Sequence, residues 1–434
     1  MSLSRYFRPT ERGDTVFSVE SAKIKFGFGA LEEVGVDARS LGMTRVAFYT
    51  DPNVADLEPV AIALNSLKKQ GIDVAVYKEV EVEPTDRSFK AGAAFAKDGS
   101  FDGFVSVGGG SVIDTCKASN LYATYPAEFI DYVNAPIGKA APVPGPLKPH
   151  IACPTTFGTA SESTGFAIFD YTEMKAKTGI VSARLRADIG ILDPGSLKTL
   201  PPLVRAANGF DVFSHACESF TARPFTQRLA PPDPTKRPLS QGANPYSDIA
   251  CVEAIKLIGN NLVQAVTAPE DHNFEALMFA GMLAGIGFGN AGNHLPHGMS
   301  YGVAGLVKNY QPEGWSQDHP MVPHGIAVIL NSPAVFRLTG SACPERHLLA
   351  AESIDTDVKG ADKRDAGYIL ADRITEMMKA TGIPNGLKGV GYTEDDLEGL
   401  TDKAFPQKRL IDNAPMQIDR EQLRALFKSA MTCW

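Results

Sequence analysis

Cysteine is scarce in this chain: there are six in 434 residues, at positions 116, 153, 217, 251, 343 and 433, with no CxxC pair and no framework spacing. Such a set makes neither a disulfide scaffold nor a thiolate zinc cluster, and it suits free thiols in a reducing compartment. Basic clusters are missing as well. The 42 Lys and Arg against 50 Asp and Glu leave a formal net charge of −8, which argues against nucleic acid as a partner. No apolar run reaches the length expected of a bilayer span, so no membrane partner is expected. No internal repeat is present. The N-terminal stretch MSLSRYFRPTERGD has arginines, but also Glu11 and Asp14 and no apolar core. It reads as neither a secretory signal nor a transit peptide, and a cytoplasmic location is expected.

Histidine, although there are only eight, is the informative residue. The run AANGFDVFSHACESF reads as a helix, so Asp211 and His215, four apart, share one face and can hold one cation together. His297 in GNHLPHGMSY and His324 in MVPHGIAV complete a four-ligand set from two further helices. One carboxylate and three imidazoles suit a divalent first-row metal such as Fe or Zn better than Ca or Mg. His294 and His319 are rivals for the last two places. His297 is favoured by its setting in what reads as one Gly/Ala-rich helix, FAGMLAGIGFGNAGNHLPHGMSYGVAGL, and His324 by the proline before it, which fits a helix start. A lone D-x-x-x-H on a helix is by itself weak, and Cys217 reads as core rather than ligand.

A second constellation lies upstream in GFVSVGGGSVIDTCKASN. A strand over Phe104 to Val107 enters Gly108, Gly109 and Gly110, and a helix is expected to open at Ser111. That geometry lets backbone N–H groups approach a pyrophosphate at the positive end of a helix dipole. Ser111 with Asp114 reads equally as a capping box in an ordinary strand-to-helix turn. The run is neither the G-x-G-x-x-G fingerprint nor a P-loop. Around it the pattern is βαβαβα, which implies a parallel sheet with a ligand crevice at the carboxyl ends of its strands. Asp51, at the end of the strand in TRVAFYTDPNV, can accept from an adenosine ribose and so favour NAD over NADP, or else simply cap the turn before Pro52. The hydroxyls of Thr155, Thr156 and Thr159 in HIACPTTFGTASES fall where a dinucleotide would lie, though such turns are commonly just turns.

Length predicts two domains: an α/β dinucleotide-binding domain over 1–200 and an all-helical metal-binding domain over 201–434. The join falls near ILDPGSLKTLPPLVRAANG, after which amphipathic runs such as DIACVEAIKLIGNNLVQAV and RDAGYILADRITEMMKAT read as helices. Two Pro-rich stretches, NAPIGKAAPVPGPLKPH and RPFTQRLAPPDPTKRPLSQGANP, read as surface loops.

In this order, GGGSVIDTCK, PTTFGTASES, GFDVFSHACES, HGMSY and PHG resemble the signatures of the iron-containing, or group III, alcohol dehydrogenases. RAANGFDVFSHACESF and GIGFGNAG are most similar to its hydroxyacid-oxoacid transhydrogenase branch. The resemblance implies that Asp211, His215, His297 and His324 are metal ligands and that Gly109, Gly110, Ser111, Asp114, Thr155, Thr156 and Thr159 contact the cofactor, with Asp51 setting NAD preference. The implied activity is metal- and NAD-dependent hydride transfer involving a small alcohol, aldehyde, hydroxy acid or oxo acid, of the 4-hydroxybutyrate/2-oxoglutarate kind. The alternative is simple NAD-linked alcohol oxidation. A homo-oligomer is expected. One position departs from the family pattern: many members carry a second histidine four residues after the third ligand, and here that residue is Tyr301. It is a candidate for the catalytic proton route, which would need a shifted phenol, or for the substrate pocket together with Phe166.

Overall fold

The computed structural model of the chain describes residues 5–6, 8–174, 176–315 and 319–434. It divides into two compact units, Ser21–Thr199 and Met1–Glu20 with Leu200–Trp434. The expected boundary at 200 therefore omits one feature, the return of the N-terminus to the helical unit. Polar contacts make that return. Asp14 pairs with Arg237 at 3.0 Å, the Ser18 amide donates to Gln241 at 2.9 Å, and the Glu20 amide donates to Asn290 at 2.9 Å.

The α/β unit runs β1 (Lys23–Phe26), α1 (Val34–Ser40), β2 (Arg45–Tyr49), α2 (Glu58–Lys69), β3 (Asp73–Tyr77), α3 (Asp86–Asp98), β4 (Gly103–Gly108), α4 (Gly110–Thr124), α5 (Phe129–Tyr132), β5 (His150–Pro154), β6 (Phe166–Tyr171), β7 (Ala176–Val181) and β8 (Ile189–Leu192). Six strands form one parallel sheet in the order β1-β8-β5-β4-β2-β3, while β6 and β7 pair antiparallel on their own. Strand alternation feeds two cores. Phe48, Val105, Val107 and Ile151 pack with Val34, Val60 and Leu67 of α1 and α2, whereas Ala47, Tyr49 and Phe104 pack with Ala96 of α3 and Val112 and Cys116 of α4. Residues buried on both faces explain why β4 reads as a near-continuous apolar run. After β2 the chain steps outward to β3, then returns to the other side of β2 to lay down β4. That reversal makes a topological switch point between the carboxyl ends of β2 and β4, where open α/β sheets bind ligands.

The helical unit contains α6 (Pro202–Thr221), α7 (Pro245–Thr267), α8 (Asp271–Ala291), α9 (Leu295–Gly305) and α10 (His324–Ile329), followed by helices from Ser332–Thr339 through Arg420–Ser429. The Gly/Ala-rich run expected as one helix is two. It breaks at Gly292, whose φ of +81° only glycine adopts readily, and its N–H closes α8 on the Phe288 carbonyl. His294 then caps α9, its Nδ1 accepting from the Leu295 N–H at 2.7 Å.

One expectation about membranes is corrected. α7 and α8, at 23 and 21 residues with mean hydropathy 1.3, are long and apolar enough to cross a bilayer. Alanine, leucine, isoleucine, valine, phenylalanine and methionine give them that average, in runs broken by polar residues at the helix ends and, in α7, along its length. Both pack against each other and against α6, as core helices do.

Close approach of these helices depends on missing side chains. A Cβ on Gly325 would collide with the Ala207 carbonyl oxygen and lie 3.1 Å from the Asp211 Cβ, so this glycine is what brings α10 against α6. Gly325→Ala should cost about 1–3 kcal/mol of stability, the usual range for overpacking. Equilibrium denaturation at matched buffer checks it, and an unchanged midpoint would show that the two helices can separate freely.

Candidate metal centre and nucleotide-binding turn

Three helices converge on one buried oxygen. Asp211 Oδ1 lies 3.7 Å from His215 Nε2, 3.5 Å from His297 Nε2 and 3.7 Å from His324 Nε2. The ligand atoms of these four residues all fall within 4.8 Å of one another. α6 supplies Asp211 and His215 on one face, α9 supplies His297 in its first turn, and α10 opens with His324 behind Pro323. Asp211, His215 and His297 are buried, while the His324 side chain is 29% exposed.

The fit to a cation can be tested on unsatisfied atoms. Asp211 Oδ1 and His297 Nε2 are buried without hydrogen bonds, which is costly unless something else neutralises them. A tetrahedral ion with bonds of about 2.1 Å separates its ligands by about 3.4 Å, close to the three distances around Asp211. The residues fit. Nitrogen dominance again favours a first-row divalent ion over Ca or Mg.

The electrostatics describe the cluster without its ion. Burial would raise the Asp211 carboxyl, but the surrounding imidazoles hold it low, to about 2. Burial pulls His215 down to about 4. His297 behaves oppositely: burial works against its charged form, yet Glu218 and Asp211 outweigh this and push it up to about 9. Aromatic packing lines the cluster, with the Phe288 ring stacked on His215 at 4.1 Å and His215 stacked on His297 at 4.6 Å.

The rival histidines fall elsewhere. His294 is buried, and its Nε2 lies 2.9 Å from the Thr221 hydroxyl, a core contact. His319 is exposed. Sequence reasoning missed Glu218, which is fully buried with Oε1 at 2.7 Å from His297 Nδ1. A signal existed: Asp211, His215 and Glu218 stand at i, i+4 and i+7 of one helix stripe.

The glycine turn singled out in the sequence lies in the α/β unit. β2 stops at Tyr49, so Asp51 sits two residues beyond the strand rather than at its last position. Parallel register pairs Tyr49 with Ser106 and Gly108 with Pro154. Asp51, Gly108 and Thr155 therefore stand at the carboxyl edge of three neighbouring strands, beside the switch point. Asp51 is buried and turns back on itself, accepting from the Asn53 amide at 2.8 Å, and burial raises its carboxyl. Gly109 caps α4, which opens at Gly110 rather than Ser111. A Cβ on Gly110 would come within 2.6 Å of Thr159, and one on Gly109 within 3.3 Å of Thr156, so the bare turn lets the threonine loop close over it.

No capping box forms between Ser111 and Asp114. Ser111 Oγ accepts instead from the Glu83 amide at 3.1 Å. Asp114 accepts from the Ser161 hydroxyl and from the Ile168 amide at 2.9 Å, and lies 3.6 Å from the buried Lys117 ammonium. Lys117 in turn donates to Ser161 Oγ at 2.7 Å and to the Thr164 and Phe166 carbonyls at 3.0 and 2.8 Å. This network fastens the threonine loop to α4. Phe166 opens β6 half-buried, and Tyr301 stands half-buried on α9, one turn beyond His297.

Residues 21–194 match the family described as iron-containing alcohol dehydrogenase, and residues 239–431 match the Fe-containing alcohol dehydrogenase family, C-terminal. The chain is 48% identical over 421 residues to the mitochondrial hydroxyacid-oxoacid transhydrogenase of Xenopus laevis, covering 96% of this chain and 91% of that one. It is 46% identical to the Homo sapiens protein of the same name, covering 96% and 90%. Among solved structures, 1,3-propanediol oxidoreductase is similar with a TM-score of 0.83 at 29% identity, covering 96% of this chain and 100% of that one. An alcohol dehydrogenase from Oenococcus oeni has a TM-score of 0.83 at 27% identity with the same coverage. The relatives' names carry a mitochondrial location, which overturns the cytoplasmic expectation, since free thiols speak for a reducing environment and do not separate one such compartment from another. With both halves matched and relatives this similar over nearly its full length, the chain belongs to the iron-containing alcohol dehydrogenase family and is an oxidoreductase.

Proposed function

We propose that this chain is a hydroxyacid-oxoacid transhydrogenase, moving hydride from a small hydroxy acid such as 4-hydroxybutyrate to an oxo acid such as 2-oxoglutarate by way of NAD. The observation that carries the reading is the buried ring of Asp211, His215, His297 and His324, its ligand atoms within 4.8 Å of one another. The named relatives at 46–48% identity support the choice of substrates. A divalent cation, iron or zinc, supplies a Lewis acid for the substrate oxygen, and NAD supplies the hydride acceptor.

The chain's own residues do the rest. Asp211 and the three imidazoles hold the cation, and His324, the ligand with exposed surface, leaves the approach for a substrate oxygen on its side. Gly108, Gly109 and Gly110, with the amides that open α4, receive the pyrophosphate, and Thr155, Thr156 and Thr159 cover it. Ser111 and Asp114 hold this turn to its surroundings. Asp51 sets a negative charge against the extra phosphate of NADP. Tyr301 makes no hydrogen bond among the described residues, so its phenol is available to a substrate oxygen. Self-association is part of the reading, supported by the exposed apolar side chains Tyr246, Ile249 and Phe279 on α7 and α8, 43%, 67% and 37% exposed.

Metal uptake should depend on pH with a definite sign. His297 in the metal-free cluster is raised to about 9, so below that pH a proton occupies the nitrogen pair that the cation needs. Affinity should rise roughly tenfold per pH unit between about 7 and 9, as one proton is displaced per ion. Chelator competition across this range measures it, and a flat profile would contradict the assignment of His297.

Asp51→Gly should narrow the preference for NAD over NADP with little change in maximal rate. Fluorescence titration with both reduced cofactors checks this, and equal affinity of the unmodified protein for the two would remove Asp51 from the cofactor site.

The substrate reading has its own assay. With hydroxy acid present and no NAD added, an oxo acid should raise product formation while the absorbance of free NADH stays flat. A strict need for soluble NAD, with no response to oxo acids, would leave simple alcohol oxidation as the function.

A further inference from the structure

Asp211 is the one carboxylate in the ring, yet a second carboxylate is buried directly behind it. Glu218 lies on α6 one turn past His215 and is fully buried. Its Oε1 is 2.7 Å from His297 Nδ1, and its Oε2 accepts the His294 backbone N–H at 2.7 Å and the His297 N–H at 3.4 Å. We propose that Glu218 is a positioning residue that sets the affinity and geometry of the cation site through His297. The inference rests on the four-residue ring binding a metal.

Three physical arguments carry it. A neutral imidazole has one N–H and one lone pair, so a carboxylate at Nδ1 fixes the N–H there and leaves the lone pair on Nε2. That Nε2 is the buried atom without a hydrogen bond, 3.5 Å from Asp211 Oδ1. The second argument is charge. A dication facing Asp211 and neutral imidazoles would leave a buried net positive charge, and Glu218 cancels it without occupying a coordination position. The third is geometric. The two amides that Glu218 accepts open α9, so the same carboxylate that orients the ring of His297 also anchors its backbone to α6. His215 has no such support: its Nδ1 is buried without a partner. His215 and His297 are therefore unequal, and of the two His297 is the one strengthened from behind.

The test is cobalt binding to the metal-stripped full-length protein, read from the visible d–d absorption with a chelator in competition. If the unmodified protein takes up no cobalt, the metal-dependent function fails. If it does, Glu218→Gln should weaken binding about 10–100-fold and shift the absorption bands, as loss of a carboxylate behind a ligating histidine does. Glu218→Asp keeps the charge on a shorter arm and should recover part of that loss. A purely structural role predicts a lower melting temperature for the metal-free variants with unchanged affinity and bands, and that result would overturn the proposal. Should neither variant fold, the unmodified cobalt protein decides it. The paramagnetically shifted Nδ1–H of His297, sheltered by Glu218, should exchange slowly in D2O, and exchange within the mixing time would overturn the assignment.

Discussion

One carboxylate oxygen, Asp211 Oδ1, faces three imidazole nitrogens at 3.5–3.7 Å with no hydrogen bond. A buried anion in that position is tolerable only if a positive charge answers it, and much of the helical unit follows from this requirement. α6 supplies the oxygen and the first imidazole. The bare Gly325 lets α10 come close enough to α6 for His324 to reach them. The left-handed break at Gly292 ends α8, so that α9 can begin afresh and direct His297 inward. Phe288, near the end of α8, then stacks on His215. Without the break, a continuous helix would carry His297 past the site.

The α/β unit solves its problem with backbone instead of charge. An anionic pyrophosphate, as proposed for this turn, needs free amides and nothing bulky in front of them, which Gly108 and Gly109 before α4 and Gly110 at its first position would provide. The buried Asp114 and Lys117 serve this arrangement indirectly. Neither needs to touch a nucleotide to matter, because together they tie Ser161, Thr164, Phe166 and Ile168 to α4 and so fix the loop that carries Thr155, Thr156 and Thr159. A charged pair buried for this purpose is paired with hydrogen bonds on nearly every side, the condition under which such pairs persist.

Much of this was legible in the sequence because periodicity and spacing are local. Asp211 and His215 at i and i+4, the strand into Gly108 to Gly110, and the alternation of helix and strand before it all express 3.6- and 2-residue repeats. What lay out of reach depended on contacts between distant segments. That His297 and not His294 joins the Asp211 cluster follows from where α9 begins. The end of the Gly/Ala run is set by the backbone of Gly292, which composition does not reveal. Ser111 and Asp114 looked like a cap because their spacing is a cap's, whereas tertiary partners at Glu83, Ser161 and Ile168 claimed both side chains. The short edge strand β1 and the hairpin of β6 and β7 left no signal strong enough to read. The mitochondrial names of the relatives could not be anticipated from thiol chemistry, which reports redox state and not address.

Glu218 shows why a metal site is underestimated when only its ligands are sought. A ligand search asks which side chains point at one point in space, and by that test Glu218 fails. Its carboxylate points at the far nitrogen of His297. Yet a buried imidazole left to itself can adopt either tautomer and lean in more than one direction, and each freedom weakens its bond to a cation. Tyr301 stands in the same helix one turn beyond His297 and takes no part in the hydrogen bonds that Glu218 makes to the start of this helix. The burden of ordering this face of α9 thus falls on the carboxylate behind His297 rather than on the residue one turn beyond it. In this chain, the direction of the His297 ring is set from α6.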